Sequence, residues 1–287
     1  MNKFHQAVAA ITGAGSGIGQ ALAIELAKRG CHLALSDVNA ENLQHTADLL
    51  KSYSIKVTTQ TVDVSQLEQV QDWAAQTQQQ HGKINYIFNN AGVTLGASLE
   101  GLSYDKFEWV MNINFWGVVY GSKEFLPYLK QSDFGHIVNI SSLFGLIAQP
   151  SQGAYNASKF AVRGFTEALR QELKIQKSNV SVTSVHPGGI KTNIAKSAAM
   201  DDSLSSLGIN PQGAKQSFDS KLTMSPKDAA LAILDAVEHD QARVLVGNDA
   251  KILDIVQRIA PSHYQNVLSK GLKLAQKIKA LKKKNKA

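Results

Sequence analysis

The chain has 287 residues, 44% hydrophobic and 18% charged, which suits a large packed core and excludes global disorder. A single cysteine, Cys31, excludes an internal disulfide, argues against a structural zinc site and fits a reducing compartment. The net charge of +7 resides in the C-terminal tail: residues 264–287 carry eight lysines and no acid, leaving 22 basic against 23 acidic residues elsewhere. That near-neutral body lacks the signature of a nucleic-acid-binding domain.

In chain order, strand-like apolar runs are expected at Ala7–Thr12, His32–Ser36, Lys56–Asp63, Asn85–Asn89, His136–Ser141, Ser181–Val185 and Arg243–Val246. Helical periodicity occupies Gly17–Arg29, Ala40–Tyr53, Leu67–Gln80, Tyr104–Lys130, Ala154–Lys177 and Pro226–His239, then Asp249–Ile259. Strands alternating with helices of this length predict βαβ units and an α/β fold, a doubly wound parallel sheet in three layers. Scattered Pro, Gly and Ser punctuation predicts one domain over residues 1–263, followed by a basic amphipathic tail over 264–287. Residues 188–225 lack clear periodicity, and a loop that long predicts a substrate loop or lid. No apolar run reaches the ~18 residues of a membrane span. The segment Met1–Gln6 runs directly into the first strand, so no signal peptide and a cytoplasmic location are expected.

The strongest local signal is Thr12-Gly-Ala-Gly-Ser-Gly-Ile-Gly19, which follows a strand and opens a helix. Glycines permit a tight turn and close approach to a pyrophosphate, and the helix N-terminus offers unpaired N–H groups to the anion. The spacing Gly13-x-Gly15-x-Gly17-x-Gly19 is not G-x-G-x-x-G, and no Gly-Lys-Ser/Thr follows to make a P-loop. Eighteen residues after Gly19, Asp37 ends the second strand. A carboxylate there can accept hydrogen bonds from ribose hydroxyls and would repel a 2′-phosphate, so it favours NAD over NADP. Its other reading is a turn or helix-capping aspartate.

Further on stand Ser142, Tyr155 and Lys159. The i, i+4 spacing of Tyr155 and Lys159 places both on one helix face. A tyrosine ordinarily titrates near ~10. A neighbouring ammonium favours the phenolate, which would bring Tyr155 toward an acid/base role. Ser142 could hydrogen-bond a substrate oxygen. An isolated Tyr-x-x-x-Lys means little; the combination is specific.

Taken together, the glycine turn Thr12–Gly19, Asp63-Val64, Asn89-Asn-Ala-Gly92, Asn114 in Asn-Phe-Trp-Gly117, Ser142, Tyr155-Asn-Ala-Ser-Lys159, and Pro187-Gly188 followed by Thr192 resemble the short-chain dehydrogenase/reductase family, single-domain branch. The resemblance implies a Rossmann-type fold and hydride transfer between NAD(H) and an alcohol or carbonyl. It makes Tyr155 the proton donor and acceptor and Ser142 the group that orients the substrate oxygen. Lys159 would bind the nicotinamide ribose, and Asn114 would hold a relay water; its other reading is a backbone bridge. Gly13, Ser16, Gly17, Ile18 and Gly19 would meet the pyrophosphate end. Asp63 and Val64 would flank the adenine, while Asn90, Ala91 and Gly92 line the cofactor path. Pro187, Gly188, Ile190 and Thr192 would contact the nicotinamide end. No metal is implied. Alternatives are a carbonyl reductase in the physiological direction and a non-catalytic NAD-binding sensor or scaffold.

Around the implied substrate, Val93, Thr94, Leu95, Gly145, Leu146, Ile147, Gln149, Pro150, Gln152, Gly189, Asn193 and Ile194 are apolar or neutral. They predict an uncharged, hydrophobic alcohol, ketone or aldehyde, with Lys191 and Lys196 as solvated loop lysines. The tail places Val267, Leu268, Gly271, Leu272, Leu274, Ala275, Ile278 and Leu281 at helical spacing among its lysines. It reads either as a helix docked on the body or a partner subunit, or as peripheral contact with an anionic membrane. A homodimer or homotetramer, built on the helices Tyr104–Lys130 and Ala154–Lys177, is expected from the resemblance.

Overall fold

A computed structural model of the chain describes residues 2–192, 198–213 and 222–284, with side chains through residue 274. Asn193, Ile194 and Lys196 lie outside the described residues, as do the side chains of Ala275, Ile278, Leu281 and the tail lysines beyond Lys273.

Seven strands form one parallel sheet: β1 (Val8–Thr12), β2 (His32–Asp37), β3 (Val57–Thr61), β4 (Tyr86–Asn89), β6 (Gly135–Ile140), β7 (Val180–Pro187) and β9 (Arg243–Val246). Their spatial order is β3-β2-β1-β4-β6-β7-β9. The chain winds outward in one direction from β1 and in the other from β4, so a crevice opens at the carboxyl ends of these two neighbours.

Alternation along the strands divides the core. Ala9 and Ile11 of β1 face a cluster with Leu22 and Leu26 of α1 (Gly17–Ala27), Leu43 of α2 (Ala40–Leu49), and Ile233 and Val237 of α7 (Pro226–Glu238). Ala10, between them, faces the opposite cluster. There Trp73 of α3 (Leu67–His81) meets Phe125 of α5 (Gly117–Gln131) edge-on at 4.8 Å, beside Leu173 of α6 (Gly153–Ile175). Both faces of the sheet are thus covered, the three-layer Rossmann-type arrangement.

The expected continuous helix over Tyr104–Lys130 is interrupted. α4 (Tyr104–Met111) passes into a π-helical turn, Asn112–Trp116, before α5 begins. The widened turn directs Asn114 inward, where it is fully buried. A second departure is a small parallel pair, β5 (Leu95–Gly96) with β8 (Ala199–Met200). It ties the long loop to the segment after β4. In that loop a 3-10 turn, Asp202–Leu207, follows and buries Leu204. The ion pair Lys106–Asp201, 2.5 Å, fastens the same loop to α4.

After β9 come α8 (Asn248–Ile259) and α9 (His263–Lys284). Among the described residues no helix is long and apolar enough to cross a membrane.

Candidate active site

The glycine turn is built by sterics. Gly13 has φ +64°, and a Cβ there would lie 2.9 Å from Ala91 Cα. At Gly19 a Cβ would run into the Gly13 carbonyl oxygen, so the first turn of α1 folds tightly under the loop. Thr12 Oγ1 accepts from the N–H groups of Asn90 (2.9 Å) and Ala91 (3.0 Å), and Asn90 Nδ2 donates to Thr12 O and Gly13 O. These bonds lock the end of β1 to the end of β4, at the sheet's switch point.

Asp37 has two tasks. Its carboxylate accepts from Gly15 N and Asn39 N, both at 2.9 Å, and it lines the crevice. Two oxygens with about four acceptor sites leave capacity for ribose hydroxyls. Asp63 accepts from Ser65 N and Ser65 Oγ at the end of the third βα unit, and Asp63 and Val64 also line the crevice.

α6 carries Tyr155 and Lys159 because its inner stripe, Ala154, Ser158, Val162, Thr166 and Leu173, is buried while the opposite face is polar. Gly145 lets the 3-10 turn Leu143–Gly145 sit against α6: a Cβ there would lie 2.7 Å from Lys159 O. The Ser142 hydroxyl is thereby brought to the same cavity wall as Tyr155 and accepts from Phe144 N at 3.1 Å. Lys159 Nζ donates to Ile140 O at 3.0 Å and lies 5.7 Å from the Tyr155 ring centroid.

Burial sets the proton affinities. It raises the Tyr155 phenol above its ordinary value, opposed by the Ser142 hydroxyl. It lowers Lys159 to about 8. The expectation that Lys159 depresses Tyr155 is therefore not met by this geometry: the ammonium addresses a backbone carbonyl and the ring, and desolvation dominates.

Asn114 bridges backbone and helix. Its Oδ1 accepts from Val93 N (2.8 Å), and its Nδ2 donates to Val93 O (2.9 Å) and Ser158 Oγ (3.1 Å). Asn89 belongs to a buried network with Ser122, Asn139 and Thr166 that joins β4, β6, α5 and α6. It is a strand-end structural residue.

One cavity of about 1510 Å³ runs from Asp37 past Tyr155 to the C-terminal helices. It exceeds the ~300–1,000 Å³ of a drug-sized ligand site and has room for a dinucleotide with a substrate. Of the expected catalytic and cofactor residues, only Gly19 and Asn114 fall short of its lining: Gly19 packs beneath the turn and Asn114 lies behind Gly92. Val93, Thr94, Ile147, Gln149, Gln152 and Gly189 line it, whereas Leu95 and Leu146 are core residues, Gly145 packs against α6, Pro150 stands outside the lining and Lys191 is exposed. Among the described residues its charged lining is Asp37, Asp63, Asp249 and Lys159.

Sequence reasoning missed several participants. Asp249 accepts from Gly189 N at 2.6 Å and fixes the turn after β7. His186, fully buried, contacts Ser142 O through Nδ1. Leu253, Leu268 and Leu272 reach the cavity from α8 and α9. None has a local motif; only the fold brings them there. The 3.6-residue period of Tyr264, Leu268 and Leu272 was the one signal available.

A parallel doubly wound sheet, a glycine turn at its switch point and a Ser–Tyr–Lys cluster at its carboxyl edge define a dinucleotide-dependent oxidoreductase. The short chain dehydrogenase model matches residues 7–203. A Mycobacterium tuberculosis protein named as an oxidoreductase, SadH, is 45% identical over 273 residues, 95% of this chain and 97% of its own length. A Burkholderia phymatum short chain dehydrogenase/reductase solved in complex with NAD superposes with TM-score 0.82 at 32% identity, covering 90% of this chain and 95% of that one. Levodione reductase superposes at 0.75 with 28% identity over 88% and 99%. The chain belongs to the short-chain dehydrogenase/reductase family. It is an oxidoreductase of CH–OH or carbonyl groups that uses a nicotinamide cofactor.

Proposed function

We propose that this protein is an NAD-dependent oxidoreductase of an uncharged, apolar alcohol, ketone or aldehyde, with Tyr155 as acid/base. The observation that carries the reading is the convergence of Ser142, Tyr155 and the buried Lys159 on one cavity lined largely by apolar side chains. Asp37, with no arginine or lysine beside it among the described cavity-lining residues, supports NAD over NADP.

In the oxidative direction the substrate hydroxyl gives its proton to the Tyr155 oxygen while the carbinol carbon loses hydride; reduction reverses both transfers. When bound, oxidised nicotinamide supplies the hydride acceptor and a positive charge beside Tyr155. Ser142 hydrogen-bonds the substrate oxygen and stabilises charge on it. Lys159, charged at neutral pH, binds the ribose hydroxyls and passes the proton onward. Asn114 braces the relay from behind Gly92. Lys159 is the sole cation among the described cavity-lining residues, so a carboxylate or phosphate on the substrate would find no further partner.

We assign residues 1–263 to the catalytic domain and 264–287 to a C-terminal extension. Exposed Tyr104, Trp116 and Phe160 on the α4–α6 face support self-association across a two-fold axis. Exposed Ile252, Ile255 and Ile259 on α8, next to a lysine-rich α9, support peripheral contact with an anionic membrane from the cytoplasm.

The test is absorbance at 340 nm with NAD or NADP and alcohols of graded length, with Tyr155→Phe alongside. NAD-dependent turnover lost roughly 10²–10⁴-fold in the variant supports the reading. NADH binding without turnover of any alcohol or carbonyl overturns it in favour of a sensor.

A further inference from the structure

Among its described side chains, residues 263–274, α9 touches the body along one narrow stripe. Tyr264 is buried, Leu268 and Leu272 are half-buried, and the neighbours between them are exposed. Tyr264 packs with Leu143, Ile147 and Ala250. Its hydroxyl accepts from Ala148 N at 3.1 Å, on the segment that leads from Ser142 to α6. The following two positions of the stripe open into the cavity that holds Ser142 and Tyr155.

We infer that α9 is part of the substrate site: Leu268 and Leu272, with Leu253 and Phe144, form the distal wall of the cavity and select a long apolar chain on the substrate. The inference rests on the reading of the protein as an enzyme of uncharged carbonyl and alcohol substrates, and adds the substrate class and the residues that recognise it. Tyr264 is a positioning residue. It pins the first turn of α9 to the backbone beside the catalytic serine, so the stripe four and eight residues further on faces the cavity. A short alcohol would leave that wall uncovered, whereas an alkyl chain would bury it. Each buried methylene is expected to raise affinity about fourfold until the cavity is filled.

The experiment uses the full chain with NADH and methyl ketones from butanone to 2-dodecanone. In the wild type kcat/KM should climb with chain length. In Leu268→Asp and Leu272→Asp the ratio of kcat/KM for 2-decanone to that for butanone should fall at least tenfold, with NADH affinity within twofold. Asn266→Asp, on the exposed face of the same helix, should keep the wild-type ratio. Leu268→Trp offers a second reading should the aspartates lose NADH binding: filling the wall should shorten the preferred chain. An unchanged ratio in variants that bind NADH, or a wild type that turns over ketones without regard to length, overturns the inference and leaves the enzymatic reading intact. Should no ketone be reduced, titration of the NADH complex by its fluorescence separates the two ideas. Length-dependent binding lost in the variants upholds the wall while the enzymatic reading fails; length-independent binding overturns the wall as well.

Discussion

His186 Nδ1 lies 3.0 Å from the carbonyl oxygen of Ser142, and its Nε2 lies 3.0 Å from Ser184 Oγ. A carbonyl can only accept, so Nδ1 carries the proton and Nε2 accepts from the serine hydroxyl. The imidazole is neutral and fixes the backbone from which the Ser142 hydroxyl projects. His186→Ala is expected to lower stability by about 2–3 kcal/mol, through a cavity and an unpaired carbonyl. It should also lower kcat more than NADH affinity, as read by denaturant melts and steady-state kinetics.

The same histidine makes the fold acid-sensitive. Burial lowers His186 and His136 to about 4. The unfolded chain takes up protons near 6.5 and the folded chain does not until about 4, so stability falls as pH drops through that window. Each contributes a loss of roughly 3 kcal/mol by pH 4. Melts of wild type and His136→Gln from pH 7 to 4 check this; parallel curves would refute it.

Lys159 has the opposite consequence. Its pKa of about 8 lies below the unfolded 10.5, so the folded state is penalised at neutral pH and gains stability as pH rises from 8 to 10.5. Lys159→Met should therefore abolish turnover while raising stability at pH 7, by up to about 3 kcal/mol less the lost bond to Ile140 O. The gap between variant and wild type should close by pH 10.5. A variant destabilised at pH 7 would contradict the assignment.

Asp37→Ala removes the acceptor of Gly15 N and Asn39 N together with the proposed ribose partner. The expected result is a roughly 10–100-fold weaker NAD, the equivalent of one charge-assisted hydrogen bond, and a smaller preference over NADP. Isothermal titration with both dinucleotides measures it.

The seven strands and the dinucleotide turn were legible because each rests on local rules: apolar runs of strand length, glycine where φ is positive, a helix face repeating every three to four residues. Tyr155 and Lys159 were legible for the same reason. Asp249, His186 and the α9 leucines were not, since each reaches the site from a distant part of the chain. The π turn at Asn112–Trp116 was invisible to periodicity, because one extra residue in a turn hardly disturbs an apolar pattern. The charge on Lys159 suggested a depressed tyrosine, but depth of burial decides that balance and depends on the whole fold.

The β5–β8 pair has only two rungs, flanked by the backbone bonds Ala199 N to Thr94 O and Asp201 N to Gly96 O. Parting it gives up two rungs and the shelter of Leu95 and Leu204, against six paired positions in the core for β6 and β7. The roof of the cavity can therefore unfasten as a local unit while the sheet stays closed. Amide exchange at Asp201 would then outpace that at Val138 by orders of magnitude, and substrates could enter and leave on a timescale unrelated to global unfolding.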